Sequence, residues 1–425
     1  MARIVTKFGG TSLATPQRIR EVAARLLAYQ NEGNQVVAVV SAMGKSTDEL
    51  LKLAHDVNEN PPARELDQLL ATGEQVSMSI LAMALDARGA HAVSMTGRQA
   101  GIVTTTVHNK AKISEINAER INKELEAGGI VIVAGFQGVT REGDITTLGR
   151  GGSDTTAVAL AAGIDADICE IYSDVDGIYT ADPRVVPRAR KLDAISYEEM
   201  LELAAAGSGV LTMRAVEFAR NYGVVIHSRS TFNNKPGTLV KEASEMEQAI
   251  VSGIAYDNSE AKVTLRDVPD DVGIAAEVFG TIADANINID MIVQNISENG
   301  TTDISFTAPM GELPRLQPVL EAAVVKFGAR KFVVDESVAK VSIVGAGMKS
   351  NPGIAAKMFR VLADNGVNIG MISTSAIRVS VVIDGDKTET ALQTLHTAFG
   401  LDSEEVFEET QLSGEELAAK KAKGR

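Results

Sequence analysis

The run Thr146-Thr147-Leu148-Gly149-Arg150-Gly151-Gly152-Ser153-Asp154-Thr155-Thr156 gathers three glycines around one arginine. Glycine lets backbone N–H groups approach an anion, and a helix starting there adds the positive end of its dipole. Arg150 carries a planar fork that grips a carboxylate bidentately, which lysine does less well. Ser153 adds a donor, and Asp154 can accept from a catalytic lysine and orient it. A second run, Lys7-Phe8-Gly9-Gly10-Thr11-Ser12, delivers a lysine into a double-glycine turn. Such a turn admits a polyphosphate, and the lysine can neutralise charge on a moving phosphoryl group. A plain strand–helix turn with a solvated lysine would use the same residues. Ala71-Thr72-Gly73-Glu74 sets a carboxylate at a helix start, where it either caps the helix or receives an ammonium group. The stretch from Tyr172 to Arg184 holds Asp174-Val175-Asp176-Gly177 but lacks the bidentate glutamate of a calcium loop. Its place after a strand suits the edge of a nucleotide.

Other motifs fail on inspection. Gly44-Lys45-Ser46-Thr47 ends like a P-loop, but Val39 stands where the first glycine belongs. Gly149-x-Gly151 and Gly345-x-Gly347 continue to Asp154 and Ser350 rather than to a third glycine. The five histidines have no metal-ligand spacing, and no Gly-x-Ser-x-Gly elbow occurs.

These residues need a rigid frame, and the first half supplies strand–helix alternation. Arg3–Lys7 reads as a strand; Thr15 caps and Pro16 opens a helix with Ile19, Val22, Ala23, Leu26 and Leu27 on one face. Continuous β-branched runs at Gln35–Val40, Gly129–Ala134, Asp167–Tyr172 and Gly223–His227 predict strands buried on both faces. Helices are expected at Ser114–Ala127 and Thr155–Gly163. The fold class is α/β, in three layers on a mainly parallel sheet, with ligands at the carboxyl ends of the strands.

The second half contains a repeat. Gly273–Ile292 aligns with Gly353–Ile372 at an offset of 80, with 11 of 20 positions identical. Both copies read as βαββαβ, the ferredoxin-like arrangement. Ala249–Ala255 reads as an extra strand that the sequence assigns to neither copy. The expected divisions are 1–240 for the first domain and 241–261 for a linker with the extra strand. The two repeats take 262–337 and 338–410, and a frayed tail 411–425.

The chain of 425 residues has a net charge of −15, 45% hydrophobic residues and a single cysteine, Cys169. The acidity argues against nucleic acid or an anionic membrane as partner, and one cysteine excludes an internal disulfide. No apolar run is long enough to span a bilayer, and no secretory leader is visible, so the expected compartment is the cytoplasm.

Taken together, the chain resembles the aspartate kinases of the amino-acid kinase superfamily. The resemblance rests on the lysine and arginine runs above with Ser41-Ala42-Met43-Gly44, Thr72-Gly73-Glu74, Gly135-Phe136-Gln137-Gly138 and Ser173-Asp174-Val175-Asp176-Gly177-Ile178-Tyr179. Two C-terminal ACT modules follow, as in the short monofunctional form of that family. The resemblance implies ATP-dependent phosphorylation of the β-carboxylate of L-aspartate, with Mg2+ arriving on ATP. It implies that Lys7 and Asp154 are catalytic, and that Ser41, Thr47, Glu74, Arg150, Gly151, Gly152 and Ser153 bind aspartate. Lys7, Gly9, Gly10, Ser173, Asp174, Tyr179, Asp182 and Arg184 would bind ATP, with no protein-held metal. Gly209 departs from the family's usual lysine, so that either Arg214 or another residue compensates or ATP binds more weakly.

The ACT modules imply control by lysine, threonine or both. Expected effector residues are Asp270, Asp271, Gly273, Ile274, Ala275, Asn288, Ile289, Asp290 and Gln294 in the first copy, with Asn368 and Ile369 in the second. Asp290 aligns with Gly370 and Gln294 with Thr374, so unequal sites are expected. The assembly is expected to be a homo-oligomer, or an α2β2 form with a regulatory subunit started internally at Met246.

Overall fold

The computed structural model describes residues 1–243, 250–295 and 300–403. The chain divides into two compact units. The first comprises Met1–Ile178, Lys191–Ala204 and Gly209–Glu245. The second takes Tyr179–Arg190, Ala205–Ser208 and the chain from Met246 onward.

The first unit is built on an eight-stranded sheet. Its order is Ala194–Ser196, Thr238–Lys241, Ile226–Ser230, Ile168–Ser173, Arg3–Phe8, Gln35–Val40, Ile130–Ala134 and Ala92–Met95. All neighbours are parallel except the pair Ile226–Ser230 and Thr238–Lys241. The central strands are the apolar runs read in the sequence: every residue of Ile130–Ala134 is buried, as are the last five of Gln35–Val40. The helix Pro16–Asn31 begins as expected, with the Thr15 hydroxyl accepting from Arg18 N at 3.3 Å. A small sheet of Ile113–Ile116, Ile102–Thr104, Gln137–Val139 and Ile145–Thr147 lies in the same unit.

Two expectations are corrected here. Ser114–Ala127 is not one helix: Ile113–Ile116 pairs as a strand, and only Glu119–Glu126 is helical. The strand expected at Gly223–His227 is Ile226–Ser230, because Gly223 takes a left-handed φ of 69° and ends the helix Met213–Tyr222.

The second unit contains the repeat as two four-stranded antiparallel sheets. The first copy runs in sequence order: Glu260–Pro269, helix Ile274–Asp284, Ile292–Gln294, Thr301–Pro309, helix Leu313–Phe327 and Lys331–Asp335. The second copy runs Val338–Val344, helix Ile354–Asp364, Met371–Thr374, Arg378–Asp384 and helix Thr388–Ala398. Its fourth strand is Gly253–Asp257, antiparallel to Val338–Val344. The strand left unassigned by the sequence therefore completes the second copy from ahead of the first. The helices Ile274–Asp284 and Ile354–Asp364 start alike, from Gly273 and Gly353 at φ 95° and 93°. Met246 and the tail from 411 lie outside the described residues. Among the described residues no helix is long and apolar enough to cross a membrane.

Candidate active site

The site of the first unit forms where neighbouring strands end together. Ser41 N donates to Phe8 O at 3.1 Å, Gly9 N to Tyr172 O at 3.3 Å and Gly135 N to Val40 O at 2.9 Å. Gly9, Ser41, Gly135 and Ser173 thus leave the sheet on one edge, the usual ligand side of a parallel sheet. Lys7, opposite Val39 and Ile171, is one residue short of its strand's end. Its Nζ lies 2.6 Å from Asp154 Oδ1, and the two side chains are only 12% and 10% exposed. Asp154 occupies the first turn of the helix Gly152–Gly163, where the dipole favours its charge. Gly10 has no room for a side chain: a Cβ would stand 2.9 Å from Gly44 O and 3.0 Å from Ala42 O. The two loops meet backbone to backbone there, and Gly44 N donates to Gly10 O at 3.0 Å.

Glu74, in the first turn of the helix Thr72–Asp86, is 3% exposed. Its Oε1 accepts from Ala42 N at 3.1 Å, while Oε2 is buried with no partner among the described residues. Burial pushes its carboxyl up to about 7, against weaker lowering by backbone hydrogen bonds. A buried carboxylate oxygen without a donor is costly, and a cation brought beside it would relieve that cost. Ser41 and Thr47 are half-buried, and Ser153 is buried beneath Gly135. Arg150 projects from the turn between Gly149 and Gly151, exposed and without an ion pair among the described residues.

The residues expected to bind ATP divide between the units. Lys7, Gly9, Gly10, Ser173 and Asp174 belong to the first, and Tyr179, Asp182 and Arg184 to the second. Asp182 and Arg184 pair at 2.6 Å, and the same segment is tied to the second repeat by Thr180 Oγ1 and His396 Nε2 at 2.8 Å. At Gly209 a Cβ would meet nothing within 4 Å. Arg214 donates to the carbonyls of Leu148 at 3.0 Å and Ala111 at 2.9 Å.

In the second unit Asp270, Asp271, Gly273, Asn288 and Asn368 are exposed around the helix starts and their facing turns, with Ile274, Ala275, Ile289 and Ile369 half-buried and Gln294 exposed. Asp290 already receives an ammonium from within the chain: Lys340 Nζ lies 2.7 Å from it and 2.9 Å from Glu260.

Sequence reading missed three polar centres. Asp67 is fully buried and accepts from His108 Nδ1 at 2.8 Å, Thr147 Oγ1 at 2.5 Å and Asn109 N at 3.1 Å. Glu170, on the strand beside that of Lys7, gathers Tyr29, Tyr172 and Arg229. Burial raises its carboxyl, but hydrogen bonds from His227 and Tyr29 and the charge of Arg229 outweigh that and hold it at about 2. Tyr172 also stacks on Phe8 at 4.9 Å, fixing the strand end that presents Lys7. Lys340 is the third. A charged residue inside an apolar pattern was the available signal, strongest in the wholly buried strand Val338–Val344.

The model of the amino acid kinase family matches residues 2–228, and ACT domain models match 263–324 and 341–399. The aspartokinase of Mycolicibacterium smegmatis is 53% identical over 407 residues, 94% of this chain and 97% of that one. That of Corynebacterium glutamicum is 53% identical over 411 residues, 95% of this chain and 98% of its own. Among solved structures, E. coli aspartokinase III in complex with aspartate and ADP superposes with a TM-score of 0.80 at 26% identity, covering 93% of this chain and 99% of that one. By the amino acid kinase match over half its length, and by more than half its residues shared along nearly the whole of its relatives, this chain belongs to the aspartokinase family.

Proposed function

We propose that the chain transfers the γ-phosphoryl group of ATP to the β-carboxylate of L-aspartate, giving 4-phospho-L-aspartate and ADP. This is the first step toward lysine, threonine and methionine. The observation that carries the reading is the buried charge set at one sheet edge: the Lys7–Asp154 pair beside a double-glycine turn, and Glu74 with an unmatched oxygen. That E. coli aspartokinase III was solved with aspartate and ADP supports it. Glu74 receives the α-ammonium and Arg150 the α-carboxylate. Ser41 and Ser153 orient the β-carboxylate, and Thr47 and the Gly151-Gly152 backbone line the same pocket. Lys7, held by Asp154, meets the charge that spreads over the transferring phosphoryl oxygens, and Gly9 and Gly10 admit the phosphates. Ser173, Asp174, Tyr179, Asp182 and Arg184 are the nucleotide contacts, and magnesium enters bound to ATP. The nucleophile is already a carboxylate, so no base is needed; in-line placement and charge neutralisation supply the catalysis.

The ACT modules make the enzyme subject to feedback by lysine, threonine or both. That E. coli aspartokinase III was also solved with lysine and aspartate supports this. Threonine is assigned to the first module's helix start, lysine to a module boundary, and the assembly is homo-oligomeric or α2β2. The test is a hydroxamate assay for the acyl phosphate with aspartate, ATP and Mg2+, with and without each amino acid. No hydroxamate from aspartate removes the reading, and turnover unaffected by lysine, threonine and their mixture removes the control.

A further inference from the structure

Arg150 carries no ion pair of its own among the described residues, so its aim depends on what holds the turn beneath it. Within the turn and the helix start after it, Gly152 N donates to Gly149 O at 2.9 Å and Asp154 N to Gly151 O at 3.1 Å, and Leu148 N reaches out to Phe136 O at 2.9 Å. The rest of the support comes from elsewhere in the first unit. Arg214, one residue into the helix Met213–Tyr222, spreads its fork over two carbonyls, Leu148 O at 3.0 Å and Ala111 O at 2.9 Å. Ala111 N in turn donates to Thr147 O at 3.0 Å, so one guanidinium clamps both chains leading to the turn. Two residues earlier, Thr212 presses on the turn itself: a Cβ on Gly151 would fall 1.9 Å from Thr212 Cγ2. On the far side, Asn109 O stands 3.0 Å from where a Cβ of Gly149 would be. Asn109 is fixed there by both oxygens of the buried Asp67.

We infer that Arg214 and Thr212 are positioning residues that set the aim of Arg150 and thereby the binding of aspartate, not of the nucleotide. The inference rests on the assignment of Arg150 to the substrate carboxylate. Two carbonyls on separate segments need a donor that is planar, forked and permanently charged, and a lysine ammonium reaches them less well. Half-burial penalises the guanidinium, lowering its pKa, so the group is kept there against a solvation cost. A turn displaced by about 1 Å is enough for a rate loss on the order of a hundred-fold.

The experiment is steady-state kinetics on the full-length chain with Arg214→Met, Arg214→Lys and Thr212→Gly, each checked for folding by calorimetry. Arg214→Met is expected to lower kcat/KM for aspartate by roughly a hundred-fold, with a rise in KM for aspartate and KM for ATP within about two-fold of the wild type. Arg214→Lys is expected to recover part of the loss, and Thr212→Gly to raise the aspartate KM alone by a smaller factor. A rise in KM for ATP with aspartate unaffected would make Arg214 a nucleotide contact and overturn the inference, as would no change in either constant. Should Arg214→Met not fold, the other two variants carry the same readout. Arg150→Met separates the two layers. An unchanged aspartate KM in that variant defeats the substrate assignment, whereas a large rise there with none in the Arg214 variants defeats only the clamp.

Discussion

Each unit keeps one lysine close to burial beside acidic partners, and the two are used differently. Lys340, 2% exposed in the middle of its strand, engages Glu260, Asp290 and the carbonyl of Ala205 at 2.9, 2.7 and 3.4 Å. An ammonium has three N–H donors, and all are committed. Burial pulls its pKa down, but Glu260 and Asp290 outweigh that and raise it above the ordinary lysine range. Lys7 sits at the end of its strand beside a glycine turn and meets a single carboxylate, Asp154. No other side chain among the described residues takes an ion pair from it. A saturated lysine fastens its surroundings together, whereas an unsaturated one is available to chemistry. Glu74 extends the contrast: the first unit holds a carboxylate short of a cation, and the second spends two carboxylates on one.

The contrast predicts opposite penalties. Lys7→Met should lower kcat by two to three orders of magnitude, about 3–4 kcal/mol on the barrier, as for loss of one preorganised electrostatic contact. Its melting temperature should stay close to that of the wild type. Turnover within a few-fold would remove the distinction between the lysines.

Lys340→Met should do the reverse. Breaking a buried pair costs roughly 3–5 kcal/mol, and the 39% exposure of Asp290 brings this toward about 2 kcal/mol. Because the folded pKa is raised, that contribution is whole at neutral pH and fades only as pH climbs through the lysine's folded value. Calorimetry at pH 7 should show the loss, with kcat in the absence of effectors little changed. An unaltered transition would mean that Lys340 fastens nothing.

Glu74 adds a pH signature. Its folded pKa of about 7 lies above the ordinary 4.5, so the protonated form is the one favoured by folding. The stabilisation is complete below the unfolded value and is lost as pH rises through 7, up to about 3 kcal/mol. Glu74→Gln should therefore melt higher than the wild type at pH 8.5 and level with it near pH 4.5. In the wild type the aspartate KM should rise as pH falls below 7, since only the carboxylate matches an ammonium. A flat KM between pH 6 and 8 would refute this.

The smallest effect tests the regulatory unit against itself. Lys262 and Lys340 hold matching places, opposite Thr307 and Val382, and Asp290 N and Gly370 N donate to those same two carbonyls. Lys340 reaches Asp290; Lys262 Nζ stands 3.6 Å from where a Cβ on Gly370 would be. Only one of the two crossings is closed by a carboxylate. Gly370→Asp should close the other and raise stability by about 0.5 kcal/mol. Calorimetry of Gly370→Asp beside Gly370→Asn checks it, and equal melting points would show that Lys262 takes no partner there.

What was legible in the sequence follows from how each feature is encoded. The Lys7 and Gly149–Asp154 turns could be read because glycines and charges stand in contiguous runs. The central strands could be read because burial on both faces leaves unbroken apolar stretches such as Ile130–Ala134. The role of Arg214 was not legible: its partners are backbone carbonyls at Leu148 and Ala111, and every residue has a carbonyl. Nor was the pairing of Lys340 with Glu260 and Asp290, which depends on one repeat meeting the other. The strand Gly253–Asp257 escaped assignment because its partner follows an entire module later.

That displaced strand orders the assembly of the regulatory unit in time. The second sheet is complete only when Asp257 finds Lys340, across a stretch of chain that is costly to close while it is unstructured. The first module's sheet is made of consecutive strands, and its first and last, Glu260–Pro269 and Lys331–Asp335, are antiparallel neighbours with Lys262 opposite Asp335. Once that module folds, the two ends of the intervening chain are already side by side, and the entropy of closing the long loop has been met in advance. The first module should thus act as a folding clasp for the second, and damage to its strands is expected to slow a sheet in which none of them takes part.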